Sequence, residues 1–213
     1  MVILNACQRK VSSFTTNYMN ENKPTDNLLK QIFVNQTKGF VDVSQKKSFW
    51  SDFADQTGGV FKVKQTVSRD LTSFYLMVQV VNGQLEFIES DTHPLKVVCV
   101  ICSDKQVEFA ISQEDFVDRF LKVFGLKDIT ISHPDFDKKY LVKGGDEIII
   151  KNILNGESII QLILKANIFS ISCERDEKQL KIMGMVGRSV NSINEMQDIY
   201  CLFKAIIDQI EKL

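Results

Sequence analysis

Two histidine-containing turns offer the residue types that could carry chemistry. His133, Asp135 and Asp137 alternate along the chain, so an extended backbone would place an imidazole and two carboxylates on one face. Such a set can hold a divalent metal ion, and Asp91 with His93 could complete the shell. Both histidines precede proline, which predicts ordinary polar turns as the alternative. The sequence therefore predicts a metal site at His133, Asp135 and Asp137, with a plain turn as the competing interpretation.

Two cysteines with redox spacing, Cys99 and Cys102, lie inside an apolar, β-rich run. A reactive Cys-x-x-Cys pair sits at a helix start, where the helix dipole favours the thiolate. Residues three apart in a strand point to opposite faces, so we predict buried free cysteines and no redox centre. The chain has five cysteines, an odd number without framework spacing. This favours reduced thiols and a cytoplasmic location.

The common catalytic and nucleotide-binding motifs do not occur in this sequence. There is no phosphate-binding Gly-x-x-x-x-Gly-Lys, no dinucleotide-binding Gly-x-Gly-x-x-Gly and no Gly-x-Ser-x-Gly nucleophile elbow. The segment 185–193 is superficially similar to the Gly-x-x-Gly loop of KH RNA-binding domains, but Val190 stands where the second glycine is needed. We therefore expect no cofactor, no nucleic-acid partner and, beyond the metal hypothesis, no catalytic residues.

Length and composition describe an ordinary globular chain. It has 213 residues, of which 44% are hydrophobic and 25% charged, and 26 basic residues against 27 acidic ones leave a net charge of −1. This balance provides no general attraction to nucleic acid or to an anionic membrane. The apolar runs are too short for a transmembrane segment. The stretch Leu4 to Cys7 looks a little like a lipobox but lacks a basic leader, so we expect a soluble protein without a lipid anchor.

The order of apolar patterns predicts an α+β fold in which antiparallel β-meanders and hairpins pack with amphipathic helices. Residues 1–44 are predicted to form an N-terminal arm or peripheral helix, and residues 45–213 a single domain. Strands followed by a striped helix occur twice, which suggests two similar halves, 45–125 and 126–213. Predicted helices occupy 45–57, 112–124, the stretch from about 146 to a break at Asn155-Gly156, 158–166 and the C-terminal segment from Asn194. The last of these carries an apolar stripe at helical spacing, made of Ile199, Leu202, Phe203, Ile206, Ile207 and Ile210.

Turn and cap signals refine this prediction. Asn82-Gly83 separates two β-rich runs and predicts a hairpin with a two-residue loop and positive φ at both positions. A second hairpin is predicted around the charged turn 174–178. Ser112 is predicted to open a helix as part of a capping box, and Asn194 to cap the last helix.

The stretch from Asp128 to Asp146, with Phe136, Asp137, Tyr140 and Val142 in its middle, resembles a pattern in uncharacterised bacterial domains. In those domains an "F-D-x-x-F/Y-x-V" strand precedes an acidic residue that opens a helix. The resemblance covers about residues 45–213. It implies a bacterial source, an accessory or scaffolding role and no catalytic residues. It further implies that Phe136, Tyr140 and Val142 face the core and that Asp137 bonds to the backbone of its turn.

Three functions follow as hypotheses. The absence of catalytic motifs, the near-neutral charge and the polar arm favour a non-enzymatic module that binds another protein or its own copy. A metal-dependent enzyme centred on His133, Asp135 and Asp137 is the first alternative. A carrier that encloses a small ligand or lipid between sheet and helices is the second, because a pocket and a filled core need the same inward residues.

Overall fold

The computed structural model describes residues 43–66, 71–113, 127–155 and 157–213. Contacts divide them into two compact units, the first made of 43–102 and 187–193 and the second of 103–186 and 194–213. The predicted arm up to residue 42 and most of the predicted helix at 112–124 lie outside the described residues. So does the predicted boundary at 125/126, and the division into two similar halves stays a prediction.

The first unit is one helix and a four-stranded antiparallel sheet in the order β1-β2-β3-β4. Helix α1 covers one face of this sheet, because its apolar stripe, which includes Trp50 and Phe53, is completely buried. The rings of Trp50 and Phe74 lie 5.7 Å apart, and those of Phe53 and Phe87 also 5.7 Å. The elements are α1 (Val43–Thr57), β1 (Val60–Thr66), β2 (Leu71–Val80), β3 (Gly83–Ser90) and β4 (His93–Cys102).

The second unit has a five-stranded sheet in the order β9-β8-β5-β7-β6, and the strand pairs with a defined register are antiparallel. Its longest helix, α5, buries the whole stripe that the sequence predicts, from Ile199 to Ile210. The elements are β5 (Phe109–Gln113), β6 (Lys127–Ile129), α2 (Pro134–Asp137), β7 (Tyr140–Gly144), α3 (Glu147–Leu154), α4 (Glu157–Ala166), β8 (Ile168–Asp176), β9 (Gln179–Val186) and α5 (Ile193–Lys212). Antiparallel sheets with packed helices confirm the α+β class.

The first hairpin turns one residue earlier than predicted. Val80 pairs with Gly83, so the loop is Val81-Asn82, and only Asn82 has positive φ, at 58°. Gly83 belongs to β3, where a Cβ atom would stand 2.1 Å from the carbonyl oxygen of Val100. The glycine is therefore required by the close approach of β4 and not by the turn.

Two further local predictions are wrong. Ser112 does not cap a helix, because it continues β5 and pairs with Leu141 on one side and Ser170 on the other. Asn194 lies within the first turn of α5, which begins at Ile193. The break at Asn155 is confirmed, since α3 ends at Leu154 and α4 begins two residues beyond the break.

Candidate functional site

The turn with His133 is helical and not extended. Pro134 opens the short helix α2, and His133 is its N-cap, whose Nδ1 accepts a hydrogen bond from the amide of Phe136 at 3.3 Å. Proline suits this position because its φ matches the helix and its missing N–H has no partner there. The expectation that the backbone is extended here, with His133, Asp135 and Asp137 on one face, is therefore wrong.

Asp137 instead holds the backbone of its own turn. Its two carboxylate oxygens accept hydrogen bonds from the amides of Ile131 and His133, both at 3.1 Å. This is the backbone role that the family resemblance implies. Asp135 is exposed. Within the described ranges, no group of three or more His, Cys, Asp or Glu side chains is arranged to hold a metal ion. Metal binding at His133, Asp135 and Asp137 stays a prediction for a metal titration.

The two helper residues, Asp91 and His93, also form local contacts in the first unit. Asp91 accepts a hydrogen bond from the amide of Thr72 at 2.8 Å. Nδ1 of His93 lies within hydrogen-bond distance of the hydroxyls of Thr92, at 2.9 Å, and Ser90, at 3.2 Å. Asp91 thus joins the turn between β3 and β4 to the start of β2, whereas His93 contacts side chains of the turn itself.

The four described cysteines differ in burial and bonding, and Cys7 lies outside the described residues. Cys99 and Cys173 are buried free thiols and Cys201 is an exposed one, whereas Cys102 is disulfide-bonded. The prediction of a free thiol is confirmed for Cys99 and wrong for Cys102. Burial, followed by the nearby carboxylates of Glu108 and Glu174, raises the pKa of Cys173 to about 12. Cys173 is therefore a packing residue and not an activated nucleophile.

Helix α1, strand β3 and the segment 187–193 meet at a buried charged cluster that sequence reasoning missed. Nζ of Lys46 donates to Oε1 of Glu89 at 2.5 Å and to Oγ of Ser189 at 2.8 Å. The hydroxyl of Ser189 in turn donates to Oε1 of Glu89 at 2.8 Å. Lys46 is 6% exposed and Glu89 only 1%. Nζ also lies 5.9 Å above the ring of Phe74.

Burial raises the pKa of Glu89, while the charge of Lys46 and the hydrogen bonds from Lys46 and Ser189 act in the opposite direction. The two side chains are paired with each other almost out of contact with water, so a substrate could reach neither of them. What the arrangement does is fix three segments of the first unit to one another. The signal in the sequence was a lysine on the apolar stripe of α1, four residues before Trp50, and a glutamate on the inward side of β3.

The face of the four-stranded sheet opposite α1 is the second feature that sequence reasoning missed. The register places Lys62, Tyr75, Ile88 and Lys96 in one row across the four strands. The neighbouring row is Val60, Met77, Glu86 and Val98. We call these two rows, with Lys64 beside them on β1, the second sheet face.

The second sheet face combines apolar and charged side chains: Lys62 and Lys96 end one row, whereas Glu86 lies inside the other. Tyr75, Met77, Ile88 and Val98 are half-buried, while Lys62 is exposed and Val60 has 54% of its surface exposed. Burial raises the pKa of Glu86, whose Oε1 accepts a hydrogen bond from the side-chain Nε2 of Gln84 at 3.0 Å. Among the described residues of this unit, α1 is the one helix, and it lies on the other face.

The prediction that Phe136, Tyr140 and Val142 face the core is confirmed, since all three side chains are at most 3% exposed.

No described helix is both long and apolar enough to cross a membrane. One solved structure, that of the mycobacterial trehalose monomycolate transport factor A, TtfA, aligns with 74% of this chain and with 94% of the TtfA chain. The two sequences are 8% identical over the alignment, and the TM-score of 0.41 is too low to infer a shared function. No family model and no curated protein matches the chain.

Proposed function

We propose that this chain is a non-enzymatic protein-interaction module and that the second sheet face is its binding surface. The observation that supports this most directly is a sheet with apolar side chains on both faces, of which one face is packed by α1. Single exposed apolar residues are ordinary, whereas a contiguous half-buried set bordered by charges is typical of an interaction surface.

The buried cluster supports the non-enzymatic part of the proposal. Lys46, Glu89 and Ser189 are residue types that many enzymes use, but catalysis requires a group that a substrate can reach and whose pKa suits proton transfer. Lys46 and Glu89 are paired with each other and almost inaccessible. The cluster thus favours a structural role in holding the unit that presents the second sheet face.

A photo-crosslinking experiment in the cells that produce this protein would test the proposal. The crosslinking amino acid p-benzoylphenylalanine would replace Tyr75 in one variant and, as a control, Ser51, which is exposed on α1. We expect a discrete protein adduct from the Tyr75 variant alone, and binding of the purified partner to the purified chain. If the Tyr75 variant gives no more adduct than the Ser51 variant, with both proteins folded, the second sheet face is not the binding surface.

A further inference from the structure

We infer that the occupant of the second sheet face is a second copy of this chain, in a two-fold symmetric pair in which Lys62 of each copy contacts Glu86 of the other. This inference rests on the proposed function and names the partner. It is drawn from two opposite charges on the face, from the apolar residues between them and from the small net charge of the chain.

The second sheet face carries a cation and a carboxylate that the described part of the chain leaves without a counter-charge. Lys62 is exposed on β1, and its ammonium group forms neither an ion pair nor a hydrogen bond with another described residue. Glu86 is half-buried on β3, where Gln84 donates to its carboxylate but no described cation is within ion-pair distance. Lys64 and Lys96 already interact within the chain, so neither is needed for this pairing.

The positions of Lys62 and Glu86 suit a two-fold axis. Lys62 pairs with Tyr75 and Glu86 pairs with Met77, so the two charged residues are two strands and two residues apart, roughly 12 Å between Cα atoms. A two-fold axis in the plane of the interface, passing between Tyr75 and Met77, exchanges their positions. Each Lys62 then lies opposite the second copy's Glu86, and the same contact forms twice.

The same axis brings apolar side chains together. Tyr75 falls opposite the second copy's Ile88, and Met77 falls close to its own equivalent. All three side chains are half-buried in the single chain, so covering them removes further apolar surface from water. Sheets packed face to face are about 10 Å apart, a gap that an extended lysine and an extended glutamate bridge together.

Charge favours this pairing. Burial raises the pKa of Glu86, because its carboxylate has lost contact with water. The ammonium group of a second copy's Lys62 would stabilise that carboxylate. The chain as a whole has a net charge of only −1, so two copies repel each other little.

The size of the face predicts a weak dimer. Four strands are about 19 Å wide and the 7 residues of β1 are about 23 Å long, which gives roughly 440 Å² of flat area on each copy. Two copies together then cover about 900 Å², at the lower limit for a specific interface. Dimerisation should therefore depend on protein concentration in the micromolar range.

The test measures dimerisation of the full chain by sedimentation velocity at about 1 to 200 µM protein. The variants are Lys62→Glu and Glu86→Lys, with Lys47→Glu as a matched control that makes the same charge change at an exposed position of α1. Each of the first two variants alone brings like charges together at both contacts. A one-to-one mixture of these two restores opposite charges at both contacts. Circular dichroism checks that every variant is folded.

We expect the parent and Lys47→Glu to dimerise equally, and Lys62→Glu and Glu86→Lys alone to dimerise roughly tenfold more weakly. The mixture should regain the affinity of the parent. Salt should weaken the dimer of the parent and strengthen that of Lys62→Glu, a comparison that decides the question if Glu86→Lys does not fold. A monomeric parent, equal losses in Lys47→Glu and Lys62→Glu, or a mixture that dimerises no better than its components would overturn the inference.

The mass of the Tyr75 crosslink separates this inference from the proposed function. An adduct of twice the chain mass supports both. An adduct with a different protein leaves the second sheet face as an interaction surface and overturns the inference about its occupant. No adduct, or an adduct confined to one chain, such as a crosslink to residues 1–42, overturns both.

Discussion

Removing the ammonium group of Lys46 would leave the carboxylate of Glu89 buried without its counter-charge. At 2.5 Å and an effective dielectric constant of about 20, the gross attraction of the pair is about 7 kcal/mol. Most of this offsets the cost of taking two ions out of water, so the intact pair contributes little relative to an apolar pair of similar volume. Removing only one partner costs much more, because the other charge stays buried without its counter-ion. Lys46→Met should therefore lower the free energy of unfolding by about 3–5 kcal/mol.

Urea unfolding provides the assay, because the chain has a single tryptophan, Trp50, and it is completely buried. Circular dichroism serves as the second probe. Lys47→Met, the exposed neighbour on α1, is the control and should stay within about 0.5 kcal/mol of the parent. The double variant Lys46→Met/Glu89→Leu should recover most of the loss. A loss below about 1 kcal/mol in Lys46→Met, or a double variant less stable than both single ones, would refute this account of the cluster.

The pH dependence of the same variants tests the electrostatic part of the reasoning. Because the pKa of Glu89 is raised on folding, the native state holds its proton longer, and stability should fall as pH rises above the ordinary glutamate value of 4.5. In Lys46→Met no ammonium group lowers the pKa of Glu89, so the free energy of unfolding should decrease more strongly with rising pH than in the parent. Equal pH dependence of stability in the parent and the variant would contradict this electrostatic explanation.

Other predictions concern packing, a thiol and a helix cap. Gly184→Ala would place a Cβ 2.2 Å from the ring of Phe203 and should cost about 1–3 kcal/mol, less in a Phe203→Leu background, as measured by urea unfolding. Because the pKa of Cys173 rises from 9.0 to about 12, stability should fall with pH above 9, by about 2 kcal/mol at pH 10.5 relative to Cys173→Ala, and matching profiles would contradict this. Asp146 caps α3 through the amides of Ile148 and Ile149 at 2.9 and 3.1 Å, so Asp146→Ala should cost about 1 kcal/mol in thermal unfolding, and Asp146→Asn much less.

Local patterns in the sequence were sufficient for most secondary-structure elements. The stripe of α5 could be predicted because apolar residues recur at helical spacing, and all of them are buried. The cap at Asp146 and the backbone role of Asp137 were also predictable, since short polar side chains bond to amides a few residues away. Turn positions were less certain, because the pairing of β3 with β4, and not the Asn-Gly signal alone, decided where Gly83 lies.

The candidate site could not be predicted, because its parts are distant in the chain. Lys46 contacts Glu89 across 43 residues and Ser189 across 143, and no local spacing connects them. The second sheet face depends on register for the same reason: both Phe74 and Tyr75 are apolar enough to face inward, and alternation alone does not tell which set α1 covers.

The sequence by itself therefore determined helices α1, α3, α4 and α5, most of the described strands and the α+β class, because those follow from periodicity, caps and turns over a few residues. The tertiary structure alone decided that Lys46 finds a buried counter-ion and that Lys62 and Lys96 border one apolar row. The physical reason is that burial and strand register are set by contacts between residues far apart in the chain, where each side chain meets neighbours that its local sequence does not specify.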